Sequence, residues 1–393
     1  MLDIIMRNQI TSVELTPVHV PFKDQVKKAM GEGEGGLGMA IAAEELWLGG
    51  DFVICKLITK SGNIGLGEVF LWLPESGFST NQIIDSIKNS LIKYIIGESP
   101  FNLEKINYRM DNNLAHNEMA KGLLDMACYD LMGQINDCPA CNLMGGFNID
   151  KIPLAALIPL GEPILMKGIT RSYYKKGFKT FRLKLGKGIE EDKKVVESIR
   201  NALGYKIKLR VDYNQAYSPS MAVKAIKVIE PFGIDYAEQP VKADDYLGMA
   251  YVQKRVDTPL MAHEGFFSLK DFITLVELGA VRVLGINSER PGGVSRALKA
   301  FDYAKMRGLG VVLHNQPLGI ASAMHIHFHV AKYAYIEYAT ELFGQEMLVD
   351  DLILNPIDYS NGEAKLPEGP GWGIKLDENA LERFATDETI ILE

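Results

Sequence analysis

Three polar residues close three successive apolar runs of the chain: Asp212 in LRVDYNQ, Glu238 in DYAEQP and His263 in PLMAHEG. Two carboxylates and an imidazole brought to one point would suit an octahedral divalent cation. Acidic residues at such places can instead do no more than cap the following helix. A cap, however, does not call for the cationic residues that stand on the preceding run. Arg182 and Lys184 lie there two residues apart, and on a strand that spacing puts both side chains on one face. Lys184 is the candidate general base, because a bound cation and Arg182 are positive neighbours that favour a neutral, proton-accepting amine. The chemistry suggested is metal-assisted proton transfer.

The elements that must position these groups show in their spacing. Lys184, Asp212, Glu238, His263, Asn287, His314 and Glu337 follow one another at steps of 28, 26, 25, 24, 27 and 23, each at the end of a short apolar run. The runs begin with Ile152–Ile158 and end with Tyr335–Tyr338, and between them lie amphipathic stretches of helical length. A β/α unit of this size, repeated, closes a barrel whose catalytic residues come from the C-terminal ends of its strands. Ahead of this region the chain has another rhythm. Ser12 to Val20, Asp51 to Thr59 and Ile64 to Phe70 read as strands, the last two joined by Lys60-Ser61-Gly62-Asn63. Gln82 to Ile95, Leu103 to Asn112 and Glu118 to Gln134 read as helices. The expected fold is α/β: a β/α barrel over 147–355 after an α+β domain over 1–146, with a C-terminal segment, 356–393, that packs back on the first domain.

The chain has 393 residues, a net charge of −8, 47% hydrophobic and 23% charged residues. It can bury a large core, and its scattered Lys and Arg give no footprint for nucleic acid or an anionic membrane. With no signal-peptide pattern or membrane-length apolar run, a cytoplasmic enzyme with a small-molecule carboxylate substrate is expected, as a homo-oligomer. Cys138 and Cys141 form a C-x-x-C without a second pair, and it is read as structural.

The motifs and their order closely resemble the mandelate racemase and muconate lactonising branch of the enolase superfamily. The resemblance covers nearly the whole chain, through GLLDMACYDLMGQ and LMGG, GFKTFRLKLG, VDYNQ, AEQP and GWGIKLDENAL. It implies a (β/α)7β, TIM-like barrel under a capping domain with a lid at about 21–50, usually Mg²⁺, and removal of the proton α to a carboxylate. It also carries metal ligation onto Asp212 and Glu238. Three departures stand out. The segment MAHEG resembles the family's M-A-D-E-S, leaving His263 and Glu264 as alternative third ligands; an imidazole would make the site friendlier to Mn²⁺ or Fe²⁺. Asn287 stands where relatives carry lysine or an aspartate paired with the next strand's histidine, so His314 is expected to be a weaker base, held by Asn287 through a hydrogen bond. Arg182 replaces a common lysine and would bind a substrate carboxylate through two N–H groups. Glu337 resembles the strand-eight glutamate that hydrogen-bonds the enediolate, and Asn214 and Trp47 are candidate substrate contacts.

Arg182 suits a polar or diacid substrate and a weakened His314 argues against two matched bases, so dehydration of a hydroxylated acid is the favoured expectation. A racemase or epimerase and a cycloisomerase are the alternatives on the same site, and a non-catalytic metal-binding barrel is the remote one. Two further patterns carry less. Gly31, Gly33 and Gly36 match G-x-G-x-x-G, but Glu32 and Glu34 would repel a pyrophosphate, and a lid is expected there. His325, His327 and His329 fall where the repeat demands a helix, which turns i, i+2 side chains apart, so they are read as structural or surface histidines.

Overall fold

The computed structural model describes residues 8–30, 47–287, 290–315 and 317–393. Strands β1 (Ile10–Pro21), β2 (Gly49–Thr59) and β3 (Ile64–Leu71) form an antiparallel sheet. Its β3 lies against the helix Glu118–Ile135, and two glycines set how closely. A Cβ on Gly65 would come within 2.3 Å of the Ala127 carbonyl oxygen, and one on Gly67 within 2.5 Å of that of Leu123. Asp130 of the same helix accepts from the backbone N–H groups of Leu66 (2.8 Å) and Trp372 (2.7 Å), fastening the sheet and the C-terminal tail to one carboxylate.

Short β4 (Lys151–Pro153) precedes the barrel proper. The barrel strands are β5 (Ala155–Ile158), β6 (Thr180–Lys184), β7 (Lys208–Asp212), β8 (Ile234–Glu238), β9 (Leu260–Ala262), β10 (Val283–Ile286), β11 (Gly310–Asn315) and β12 (Glu341–Leu342). They pair in parallel in chain order. The ring closes where the Ala155 N–H donates to the Thr340 carbonyl (2.8 Å) and the Thr340 N–H to that of Pro153 (3.0 Å). A helix fills each interval, so the spacing's β/α barrel takes the (β/α)7β form that the resemblance implies. The tail adds β13 (Tyr359–Ser360) and β14 (Glu363–Lys365), which pairs with β4, and then β15 (Ile390–Leu392), which pairs antiparallel with β1. The C-terminal tail thus completes the cap sheet.

Two expectations change in detail. The run Ile152–Ile158 is split between β4 and β5, which belong to different sheets. Tyr335–Tyr338 is not a strand: Tyr333–Tyr335 is a 3₁₀ turn, and the eighth strand begins only at Glu341.

The histidine triplet lies on the helix Gly319–Lys332, fully buried, each ring with its own partner. His325 Nδ1 lies 2.7 Å from the Ala321 carbonyl oxygen and His329 Nδ1 2.6 Å from Thr340 Oγ1. His327 bridges the Cys141 N–H and the Trp372 carbonyl. They are packing elements. All four cysteines are free, and Cys141 is buried in a 3₁₀ turn. Among the described residues, no helix is long and apolar enough to cross a membrane.

Candidate active site

Alternation along β6 puts Arg182 and Lys184 on one face, both buried, while Phe181 and Leu183 join the hydrophobic core. Register then brings the next two strand ends alongside, since Lys184 pairs with Asp212 and Asp212 with Glu238. Lys184 Nζ donates to Asp212 Oδ2 (2.5 Å) and to Asn214 Oδ1 (2.7 Å). Asn214, at φ 39° just past β7, also donates through Nδ2 to Glu264 Oε1 (3.0 Å). It therefore links the candidate base to a second carboxylate.

The Arg182 guanidinium is fully engaged with protein carboxylates. Its Nε donates to Glu238 Oε2 (2.8 Å), its Nη2 to Glu238 Oε1 (2.5 Å) and to Asp212, and its Nη1 to Glu341 Oε1 (3.1 Å). The expected two-pronged grip on a substrate carboxylate is not available in this arrangement. Arg182 is the internal cation that holds Asp212 and Glu238 in place.

His263 and Glu264 prove not to be alternatives in geometry. Strand alternation would turn one outward, but β9 ends at Ala262 and both residues lie in the bend after it. His263 Nδ1 is 3.5 Å from Glu238 Oε1 and 3.8 Å from Glu264 Oε2. The expected bond from Asn287 to His314 is not formed. Asn287 Nδ2 instead lies 3.2 Å from His263 Nε2, and its Oδ1 accepts from the Arg290 N–H (2.7 Å). The His314 ring sits with its centroid 4.3 Å from that of His263, and its Nε2 is buried without a hydrogen-bond partner among the described residues.

Glu337 does not reach this cluster. It is exposed, near Gly310 at the end of β11 remote from His314. Glu341, on β12, stands in its place, buried against Arg182 and Arg210. Sequence reasoning missed Glu341, although it stands 27 residues after His314, within the range of the other steps. It also missed Glu75 and Arg290, joined by a 2.5 Å hydrogen bond across the cap and the loop after β10. These two carry no periodic signal.

Lys184, His263 and His314 line one end of a cavity of about 400 Å³. Elsewhere its walls combine the rings of Trp47, Phe70, Trp72, Tyr173 and Phe343 with the polar groups of Gln25, Ser172, Lys176 and Glu346. Trp47 stacks on Trp72 with centroids 4.8 Å apart and the planes 26° from parallel. Of the expected lid, the helix Asp24–Met30 contributes Gln25, Val26 and Ala29 to the lining, whereas Gly31, Glu32, Gly33, Glu34 and Gly36 lie outside the described residues.

With this geometry in view, comparison with known proteins is decisive. The model of the "Enolase C-terminal domain-like" family matches residues 166–380, and that of the "Mandelate racemase / muconate lactonizing enzyme, N-terminal domain" matches residues 47–145. The chain belongs to the mandelate racemase and muconate lactonizing branch of the enolase superfamily. It is 31% identical over 340 residues to an N-succinyl-L-Arg/Lys racemase of Bacillus cereus, covering 86% of this chain and 91% of that one. It is 36% identical over 280 residues to a hydrophobic dipeptide epimerase of Enterococcus faecalis, covering 70% and 78%. A crystal structure of a dipeptide epimerase from that organism, complexed with Mg and the dipeptide L-Leu-L-Tyr, superposes with a TM-score of 0.83 at 30% identity, over 93% of this chain and 99% of the other. A chloromuconate cycloisomerase of Cupriavidus pinatubonensis is 29% identical over 346 residues, covering 85% and 91%. All are isomerases by name, and the expected dehydratase finds no support among them.

In this enolase-superfamily barrel the electrostatics suit a divalent cation. Burial opposes ionisation of Asp212, yet Arg182 and Lys184 outweigh it and hold the carboxyl below its usual range. Burial pushes the Glu238 carboxyl up to about 8, even against Arg182. Glu264 is pushed up to about 7 by burial, with Asp212 and Glu75 adding to the effect. Carboxyls raised chiefly by burial are ones whose charged form is poorly solvated, and a bound cation would favour that form. Glu264 Oε2 and His263 Nδ1, 3.8 Å apart, are moreover buried without hydrogen-bond partners among the described residues. Burial, then the positive charge of neighbouring arginines, keeps both His263 and His314 neutral, well below the usual histidine range.

Proposed function

We propose that this chain is a metal-dependent racemase or epimerase acting at the carbon α to a carboxylate, on amino acids whose nitrogen is acylated or peptide-linked and whose substituents are hydrophobic. The observation that carries this is the cavity itself. It presents an amine from the second barrel strand and an unpartnered imidazole from the seventh at one end, and an aromatic wall beyond. Each hydroxyl group of a polyhydroxylated acid that faced Trp47, Phe70, Trp72 or Phe343 instead of the few polar groups of the wall would be left unpaired, at a cost of about 1–3 kcal/mol for each buried unmade hydrogen bond. An apolar side chain or acyl group gains from the same wall. The named relatives, a racemase of N-succinylated amino acids and an epimerase of hydrophobic dipeptides, support the same class.

Asp212, Glu238 and either Glu264 or His263 would hold a divalent cation, Mg²⁺ first, which supplies Lewis-acid stabilisation of the negative charge that develops on the substrate carboxylate. The chain's residues do the rest. Lys184, held by Asp212 and Asn214, takes the α-proton, and the electron pair of the C–H bond passes into the carboxylate. His314 serves the other face: once its ring has taken a proton from solvent, the imidazolium gives that proton to the same carbon to complete inversion and is left neutral, and Lys184 returns the proton it removed to solvent. Trp47 and Trp72 cover the reacting carbon from water.

A one-base isomerisation of the cycloisomerase kind is the second reading, favoured by the single lysine among the described residues of the cavity that lies beside the carboxylates. The two separate cleanly in D₂O with either enantiomer of a hydrophobic N-acyl amino acid or dipeptide and Mg²⁺. Two active faces yield inverted product carrying α-deuterium. Exchange with full retention of configuration would rule out the racemase and leave the one-base reading.

A further inference from the structure

We infer that Asn287 fixes the proton of the His263 imidazole on Nδ1, so that the ring turns an N–H toward the carboxylate cluster and leaves Glu264 as the third ligand of the cation. The backbone N–H of Arg290 donates to Asn287 Oδ1 at 2.7 Å, which settles which end of that amide is oxygen. The other end, Nδ2, has only protons to offer, and it lies 3.2 Å from His263 Nε2. Nε2 must therefore carry the lone pair. A neutral imidazole has a single N–H, so its proton is on Nδ1.

The far side of the ring points to the same tautomer. Nδ1 faces Glu75 Oε1 at 3.4 Å, Glu238 Oε1 at 3.5 Å and Glu264 Oε2 at 3.8 Å, a set of oxygens that favours an N–H and disfavours a lone pair. A protonated Nδ1 has no electrons to give a cation, whereas Glu264 Oε2 is buried without a hydrogen-bond partner and has them. The tautomer stands on geometry alone; the ligand assignment also rests on the metal-dependent function proposed above. Asn287→Asp would exchange the donor for an acceptor, move the proton to Nε2 and open Nδ1 to a metal, with a shift toward nitrogen-preferring ions.

Two measurements test this. Long-range ¹H–¹⁵N correlation on histidine-labelled, metal-free protein at pH 8, with His263 assigned by the signals lost in His263→Gln, should show Nδ1 protonated and Nε2 bare. The Asn287→Asp variant should show the reverse. An Nε2–H tautomer in the unsubstituted protein overturns the inference, even where the variant fails to fold. Mn²⁺ titration of the unsubstituted protein should then show that Glu264→Gln weakens binding by at least about 10-fold, and by more than His263→Gln does. The opposite order would overturn the ligand assignment, and failure of the unsubstituted protein to bind Mn²⁺ would overturn the metal-dependent function while leaving the tautomer intact.

Discussion

Lys184 and His314 share one cavity but not one environment, and the difference has a kinetic consequence. The amine is held by two oxygens, Asp212 Oδ2 and Asn214 Oδ1, whereas His314 Nε2 has no partner and burial keeps its ring neutral. Such an imidazole is a weak base and, once protonated, a strong acid. His314→Asn should therefore abolish inversion while solvent exchange from the Lys184 face persists. The check is ²H incorporation against optical rotation in one sample, and inversion at the original rate would remove His314 from the mechanism. At this scale the sequence was informative wherever strand geometry rules. Lys184, Asp212, Glu238, Asn287 and His314 were placed by one repeating interval. It misled where the strand had already stopped: past Ala262 alternation no longer sorts His263 from Glu264, and the apolar run Tyr335–Tyr338 imitated a strand that begins at Glu341. Partners such as Asn287 with His263 are set by loop conformation, which leaves no periodic trace.

The helix Gly319–Lys332 is the element that joins cap and barrel. Its N-terminal backbone N–H groups, Leu318 (2.7 Å) and Ala321 (2.9 Å), donate to the two oxygens of Glu68, a buried residue of the cap strand β3. A carboxylate there satisfies two orphan donors and meets the positive end of the helix dipole. Glu68→Gln replaces one acceptor by an NH₂ facing an N–H, and should cost about 1–3 kcal/mol in denaturant unfolding; an unchanged midpoint would show that the contact contributes nothing. The same helix buries His325, His327 and His329, each held by burial down to about 4 from the ordinary 6.5. The folded state keeps these rings neutral. As pH falls from 6.5 toward 4 the unfolded chain takes up protons that the fold refuses, so their contribution to stability is full above 6.5 and is lost across that window. His329→Gln should make the pH dependence of unfolding shallower between pH 4 and 6.5 by about 1 kcal/mol per pH unit. Identical slopes for variant and parent would contradict the buried, neutral assignment. The helix was expected from the repeat, but which histidines it would bury, and against what, depended on packing with Trp372 and Thr340.

On the scale of the molecule, the barrel supplies the chemistry and the cap supplies the wall. Lys184, His263 and His314 come from the barrel, Trp47, Phe70 and Trp72 from the cap, and β15 returns from the far end of the chain to pair with β1. The two-layer architecture was legible because two hydrophobic rhythms change over near Gly145-Gly146. The substrate class was not, because it is set by which side chains meet across the cap and the barrel mouth. The expectation of a hydroxylated acid rested on Arg182, whose guanidinium turns out to be occupied by Asp212, Glu238 and Glu341. The central claim is that Lys184 removes an α-proton with a divalent cation in place. It is tested most directly by ¹H NMR of hydrophobic N-acyl amino acids and dipeptides in D₂O, with the intact protein, the protein stripped by a chelator, and Lys184→Met. For the enantiomer whose α-proton faces Lys184, the one that His314→Asn still exchanges, the signal should disappear only with the metal-loaded parent protein. In Lys184→Met the rate should fall by at least about 10²–10⁴-fold. Exchange that survives the chelator or the loss of Lys184 would contradict the account.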